Sequence, residues 1–238
     1  MKYLKQLGLI VFPGRCPVCD KAVPPGKLIC NKCDKKLIPV KEPKCMKCGK
    51  QMWQEGQYCY DCERKHFTYE RGFALYNYNE VTRKSIASFK YKGRAEYAVF
   101  YGQEMAKRYR DIMKRYHINA VLPVPVHHKR LKQRGYNQAG LLAKKLCEQT
   151  GMINLDGLIV RVKNTLPQKE LDDVERRRNI EKAFEINPSF VIPKGVKNVL
   201  IVDDIYTTGT TIEACSRIIK KVMGRKVYFL VLAIGRGL

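Results

Sequence analysis

Val199–Thr211 reads VLIVDDIYTTGTT. Four apolar residues run into two adjacent aspartates, and four threonines around one glycine follow within a few residues. A short apolar run bounded by turn residues is expected to be a buried strand. Gly209 lets the chain turn tightly and lets a ligand approach the backbone. A helix is expected from about Thr210 to Val222, and the free N–H groups of its first turn favour an anion. The hydroxyls of Thr207, Thr208, Thr210 and Thr211 can each donate to a phosphate oxygen. Asp203 and Asp204 would repel phosphate; they suit sugar hydroxyls or a magnesium ion. One stretch thus offers an acceptor pair for a ribose beside a cradle for its phosphate. Helix capping needs one such residue, not six. A nucleotide hydrolase needs G-x-x-x-x-G-K-[ST], whereas here Gly26-Lys27 precedes Leu28 and Gly49-Lys50 precedes Gln51.

Outward from this stretch, apolar strands alternate with helices. GFALYNYN (72–79), AVLPVPV (120–126), LIVRV (158–162) and KVYFLVLAI (226–234) read as strands. Two helices are expected between about 81 and 116, broken near Gly93. Ala139, Leu142, Ala143 and Leu146 carry helical spacing that Gly151 ends. The pattern predicts an α/β fold, a mainly parallel sheet with flanking helices, in which ligands bind outside the carboxyl ends of the strands.

The chain has 238 residues, 45% of them hydrophobic, enough for one substantial domain and a small one. Its net charge of +24 attracts polyanions, nucleic acid among them, or marks solvated faces. The basic residues are spread along the chain and locate no site. No run approaches the roughly 18 apolar residues of a membrane span. LGLIVFPG (7–14) is too short for a secretory signal and lacks a cleavage site, so a cytoplasmic protein is expected.

Eight of the ten cysteines form four Cys-x-x-Cys pairs between residues 16 and 62, separated by 10, 11 and 10 residues. Two such pairs close a tetrahedral zinc site, whereas a disulfide framework suits a secreted chain. Two structural zinc ions are expected. In a tandem arrangement Cys16, Cys19, Cys30 and Cys33 hold one and Cys45, Cys48, Cys59 and Cys62 the other. An interleaved cross-brace would pair first with third and second with fourth. Cys147 and Cys215 read as small buried hydrophobes. Tyr58, Tyr60, Phe67 and Tyr69 are expected mostly in the ribbon core, although such aromatics can stack on bases. His127 and His128 read as surface histidines.

Residues 199–211 resemble, over all thirteen positions, the phosphoribosyl-pyrophosphate signature of type I phosphoribosyltransferases. That resemblance implies that Asp203 and Asp204 hold the ribose hydroxyls and that Thr207, Thr208, Gly209, Thr210 and Thr211 hold the 5′-phosphate. With FPGRCPVC, PVPVHHKRLKQRGYNQA and TLPQKELDDVERRRNIEKAF, the whole chain is similar to the ComF family of competence proteins. The family implies a double zinc ribbon (1–66) ahead of a type I phosphoribosyltransferase-like domain (67–238), phosphoribosyl pyrophosphate with Mg2+ as ligand, and a role in DNA uptake during natural transformation. It implies a transferase reaction whose acceptor the sequence does not name. In phosphoribosyltransferases the loop after the first core strand faces the pyrophosphate; Lys129, Arg130 and Arg134 would neutralise it here, with Asn137 and Gln138 hydrogen-bonding nearby. Residues 163–182 lie where relatives carry a hood, and Gln168, Arg176 and Asn179 match the family pattern as candidate catalytic residues. The alternative is a non-catalytic competence module that binds single-stranded DNA, or one that partners an uptake helicase under control of the ligand.

Overall fold

The computed structural model describes residues 14–163 and 182–235. Two short helices, α1 (Asn31–Asp34) and α2 (Tyr60–Arg64), follow the second and fourth cysteine pairs' first ligands in the N-terminal part. Among the described residues the sheet then holds β1 (Arg71–Asn77), β2 (Ile118–Pro123), β3 (Ile153–Asn154), β6 (Asn198–Tyr206) and β7 (Val227–Ile234), in the order β1-β7-β6-β2-β3. Every pair is parallel. The remaining strands, β4 (Ile159–Arg161) and β5 (Phe184–Ile186), pair antiparallel in a separate small sheet.

The apolar runs become central strands because both faces are covered. β7 is buried along its whole length. Helices α3 (Glu80–Tyr91), α4 (Tyr97–Arg115) and α6 (Gln138–Thr150) pack on one face with Leu200 and Val202 of β6. Helix α7 (Thr210–Met223) packs on the other with Val199 and Ile201. Local chemistry sets the helix limits. Asn79 and Thr82 form a reciprocal capping box at the start of α3. Asn137 caps α6, and Gly151, in the left-handed region, ends it.

Two differences from the sequence expectation have physical causes. LIVRV does not join the main sheet: its middle pairs with Phe184–Ile186, leaving Val160 and Val162 exposed. The strand carrying the two aspartates does not stop at them. Ile205 and Tyr206 continue in register with Ala233 and Ile234, so the acids sit inside the last turns of the ladder.

The connection from β2 passes through α6 on one face, and that from β6 passes through α7 on the other. β2 and β6 are neighbours. Their carboxyl ends therefore flank a topological switch point, where an open α/β sheet leaves a ligand crevice.

The N-terminal part is built onto this sheet. Val40 N–H donates to Leu75 O (3.2 Å), Asn77 N–H to Ile38 O (3.1 Å) and Gly72 N–H to Lys47 O (2.7 Å), so the chain between 38 and 47 runs along the outer edge of β1. Cys45, Cys48, Met52 and Cys59 share one apolar cluster with Tyr69, Tyr206 and Phe229, whereas Cys16, Val23 and Cys33 form a small cluster of their own. Asp20 anchors that first part, with its carboxylate 2.7 Å from Arg94 Nε and accepting from Tyr97 Oη at 2.8 Å. No helix among the described residues is long and apolar enough to cross a membrane.

Candidate functional site

The cysteines gather as two tandem sets. Cys16, Cys19, Cys30 and Cys33 form one, Cys45, Cys48, Cys59 and Cys62 the other, and within each set all sulfurs lie within 4.8 Å of one another. A tetrahedron with zinc–sulfur bonds of about 2.3 Å has edges of about 3.8 Å. The Sγ atoms of Cys19 and Cys30 are 3.8 Å apart, those of Cys16 and Cys30 3.6 Å, and those of Cys48 and Cys59 3.7 Å. The donor sets therefore fit zinc, and the pairing is tandem rather than interleaved. Four thiolates leave no open position, which makes both sites structural. Tyr58 and Tyr60 are exposed and so do not form the ribbon core expected of them. Tyr69 is fully buried, but against Phe229 of the sheet, 4.9 Å between ring centres.

At the ligand edge, strand alternation sends Asp203 and Asp204 to opposite faces. Asp204 lies on the face of Leu200 and Val202, 7% exposed, with Oδ1 2.8 Å from Lys90 Nζ at the last turn of α3. Asp203 lies on the α7 face, and its Oδ1 accepts from the Asp204 N–H at 2.8 Å. Burial, reinforced by the Asp204 charge, pushes Asp203 up to about 7, while Lys90 and Arg161 pull the other way. The two carboxylates do not converge on one ion. Among the described residues, the groups of three or more metal ligands that lie together are the two cysteine sets.

The turn after β6 is shaped for close approach. Gly209 has φ +81° and caps α7 without a side-chain bond, leaving the first-turn N–H groups open. A Cβ at Gly209 would drive into the ring of Tyr206 beneath it. Tyr206 stacks on Phe229 (4.8 Å, 3° between planes), and its hydroxyl lies 2.8 Å from that of Tyr69. Thr207 and Thr208 are exposed, and Thr208 Oγ1 lies 2.8 Å from Thr210 Oγ1. Thr211 is half-buried in the same turn. Glu213, one turn into α7, is buried and accepts from Thr68 N–H and Thr68 Oγ1, both at 2.7 Å, and from Arg217 Nε at 2.8 Å.

The stretch after β2 is not an open loop. Residues His128–Arg134 form a short helix, α5, which carries Lys129 and Arg130. His127 is buried, contrary to its reading as a surface residue, because its Nδ1 accepts the Lys129 N–H (3.3 Å) to cap α5. Burial, ahead of the nearby His128, Lys129 and Arg161 charges, holds its imidazole below the usual range. Arg134, Asn137 and Gln138 have partners within the fold. Arg134 Nη2 donates to Tyr91 Oη (3.1 Å) and Nη1 to Gln138 Oε1 (3.2 Å). Gln138 Nε2 donates to Phe89 O (3.4 Å), joined there by Tyr136 Oη (2.6 Å). Asn137 Nδ2 donates to Val124 O at 3.1 Å. RGYNQ therefore grips the end of α3. Gln168, Arg176 and Asn179 lie outside the described residues.

Sequence reasoning missed Lys90, Arg161, and the Thr68–Glu213 and Tyr69–Tyr206 contacts. A lysine near a helix end reads as solvated, and pairs more than a hundred residues apart leave no local periodicity.

A double zinc ribbon followed by a parallel sheet with helices on both faces defines the class of this protein. Residues 8–63 match the double zinc ribbon domain family. Over 200 residues the chain is 28% identical to competence protein F of Haemophilus influenzae, covering 82% of this chain and 85% of that one. It is 26% identical over 199 residues to competence protein ComFC of Bacillus subtilis, covering 81% and 78%. It is 26% identical over 211 residues to DNA utilization protein YhgH of Salmonella typhimurium, covering 87% and 84%. Among solved structures, an adenine phosphoribosyltransferase matches 62% of this chain and 75% of its own at 18% identity, with a TM-score of 0.37. Over most of its length the chain is similar to these competence and DNA utilization proteins.

Proposed function

We propose that this protein binds phosphoribosyl pyrophosphate in the crevice between β6 and β2 and acts in DNA uptake. The observation that carries the ligand is the seating of two aspartates and a threonine–glycine turn at the topological switch point. The ribose hydroxyls donate to Asp203 and to the free lone pairs of Asp204. The 5′-phosphate accepts from Thr207, Thr208, Thr210 and Thr211 and from the first N–H groups of α7. Lys129 and Arg130 on α5 neutralise the diphosphate arm. The uptake role rests on the relatives, whose names assign competence and DNA utilization to them.

In the transferase reading, the bond from C1′ to the diphosphate oxygen breaks with its electron pair leaving on the diphosphate. A nitrogen nucleophile forms the new bond to C1′ and gives up its proton to solvent. This chain's contribution is to position the sugar and neutralise the leaving group. Gln168, Arg176 and Asn179 are proposed as further catalytic residues.

Isothermal titration with phosphoribosyl pyrophosphate tests the ligand. Saturable binding that Thr211→Val and Asp203→Ala each weaken by about ten-fold or more is expected. Wild-type protein that shows no binding rejects the reading. Release of pyrophosphate with some nitrogen acceptor separates an enzyme from a sensor. The charge of +24 favours a second activity, contact with single-stranded DNA. Its signature is affinity that falls steeply as salt rises, and weak binding at low salt rejects it.

A further inference from the structure

We propose that Lys90 is a ligand-binding residue whose ammonium, seated on Asp204, presents its remaining donors to the diphosphate arm of the bound sugar phosphate, and that RGYNQ serves to place it there. The proposal rests on the phosphoribosyl-pyrophosphate reading and adds to it a residue from a helix that the signature does not include.

The geometry starts at α3. Its last turn ends at Tyr91, where helix carbonyls ordinarily lack partners. Here Phe89 O accepts from both Tyr136 Oη (2.6 Å) and Gln138 Nε2 (3.4 Å). Arg134 reaches the other side of the same turn, donating to Tyr91 Oη at 3.1 Å with its guanidinium 4.8 Å from the Tyr91 ring centre. Residues on either side of Lys90 are thus clamped by one short segment, and that clamp holds its Nζ 2.8 Å from Asp204 Oδ1.

The pair is partly open. The Lys90 side chain is 20% exposed and that of Asp204 11%. An ammonium carries three donors, and its ion pair with Asp204 leaves donors for a ligand. The clamping segment lies at the end of α5 in the connection that leaves β2, so Lys90 stands between the carboxyl end of β6 and that connection. Those are the two walls of the switch-point crevice. With the ribose on the acids and the 5′-phosphate on the threonine turn, the diphosphate arm is the anion left for the β2 side.

Charge balance supports this assignment. Asp203 is faced by Asp204 on its own strand, by Lys90 from α3, by Arg161 from β4 and by the Cys215 thiol from α7. Two adjacent carboxylates alone would repel a diphosphate. Lys90 and Arg161 bring the group close to neutral before any ligand arrives, and a polyanion can then enter the crevice.

The discriminating experiment compares two ligands on the full zinc-loaded chain. Phosphoribosyl pyrophosphate carries the diphosphate arm, and ribose 5-phosphate lacks it. Lys90→Met is expected to weaken the first by about ten-fold or more while changing the second by less than about two-fold, and Lys90→Arg to recover most of the loss. A residue that merely holds the fold would weaken both ligands alike, and that result overturns the proposal, as does unchanged affinity for both. If Lys90→Met fails to fold, Lys90→Gln keeps an amide donor for Asp204 and carries the same expectation. Wild-type protein that binds neither ligand rejects the underlying ligand reading and this proposal with it. Wild-type binding that the Lys90 variants leave untouched overturns this proposal alone.

Discussion

Asp203 is held in the folded chain at a higher pKa, about 7, than the roughly 3.9 of an unfolded aspartate, because burial and Asp204 disfavour its charge. Its contribution to stability is therefore complete below about pH 4 and is lost as pH rises through about 7. Asp203→Asn should be more stable than wild type at pH 8, with the gap narrowing towards pH 5, as denaturant titrations at the two pH values would measure. A gap of equal size at both would contradict the assignment. Ligand binding should show the opposite trend. A carboxylate accepts ribose hydroxyls better than a carboxylic acid does, so affinity for phosphoribosyl pyrophosphate should rise as Asp203 ionises near pH 7. Gly209 is the second residue with a defined cost. Its φ of +81° and the Tyr206 ring beneath it leave no room for a methyl group. Gly209→Ala should lose at least about 1 kcal/mol in denaturant titration and weaken binding of the 5′-phosphate, and a neutral outcome would mean that the turn is looser than described.

The elements were legible to different degrees. Strands β1, β2, β6 and β7 and helices α3, α4, α6 and α7 stand close to where apolar runs and capping residues place them, because long buried segments carry their own periodicity. β3 is two residues long and too short to carry a pattern. β4 pairs with β5 and not with the main sheet, a choice made by tertiary contacts. At the site, the signature stretch brings two acids and a threonine–glycine turn to one strand end as its sequence leads one to expect, but strand alternation separates the two acids and brings Lys90 and Arg161 to them from other elements. Of the RGYNQ residues expected near the anion, Arg134, Asn137 and Gln138 make hydrogen bonds within the fold that the sequence does not signal. The tie between the ribbon's exit and α7 is a further element-level contact that no local pattern signalled. Thr68→Val removes the hydroxyl donor from buried Glu213 while keeping the backbone one. A loss of about 1–2 kcal/mol is expected by chemical denaturation, with a smaller loss if water replaces the hydroxyl.

Across the whole molecule, the two zinc sites are not equivalent. The second shares its apolar cluster with Tyr69, Tyr206 and Phe229, whereas the first has its own small cluster and a salt link through Asp20 and Arg94. Cys48→Ser should therefore lower the melting temperature of the entire chain and disturb the threonine turn. Cys19→Ser, at an exposed ligand of the first site, should cost less. Native mass spectrometry should show one zinc lost in each case, and equal destabilisation by the two variants would refute the asymmetry. The chain segment that runs from Ile38 to Lys47 along the outer edge of β1 adds a consequence of another kind. A bare edge strand is a template on which a second molecule can add its own strand, and β1 is apolar along most of its seven residues. The ribbon acts as a guard over that template. Stripped of metal, this protein should therefore cloud and self-associate through β1, in a concentration-dependent way that light scattering would follow, and returning zinc before assembly begins should keep it monodisperse.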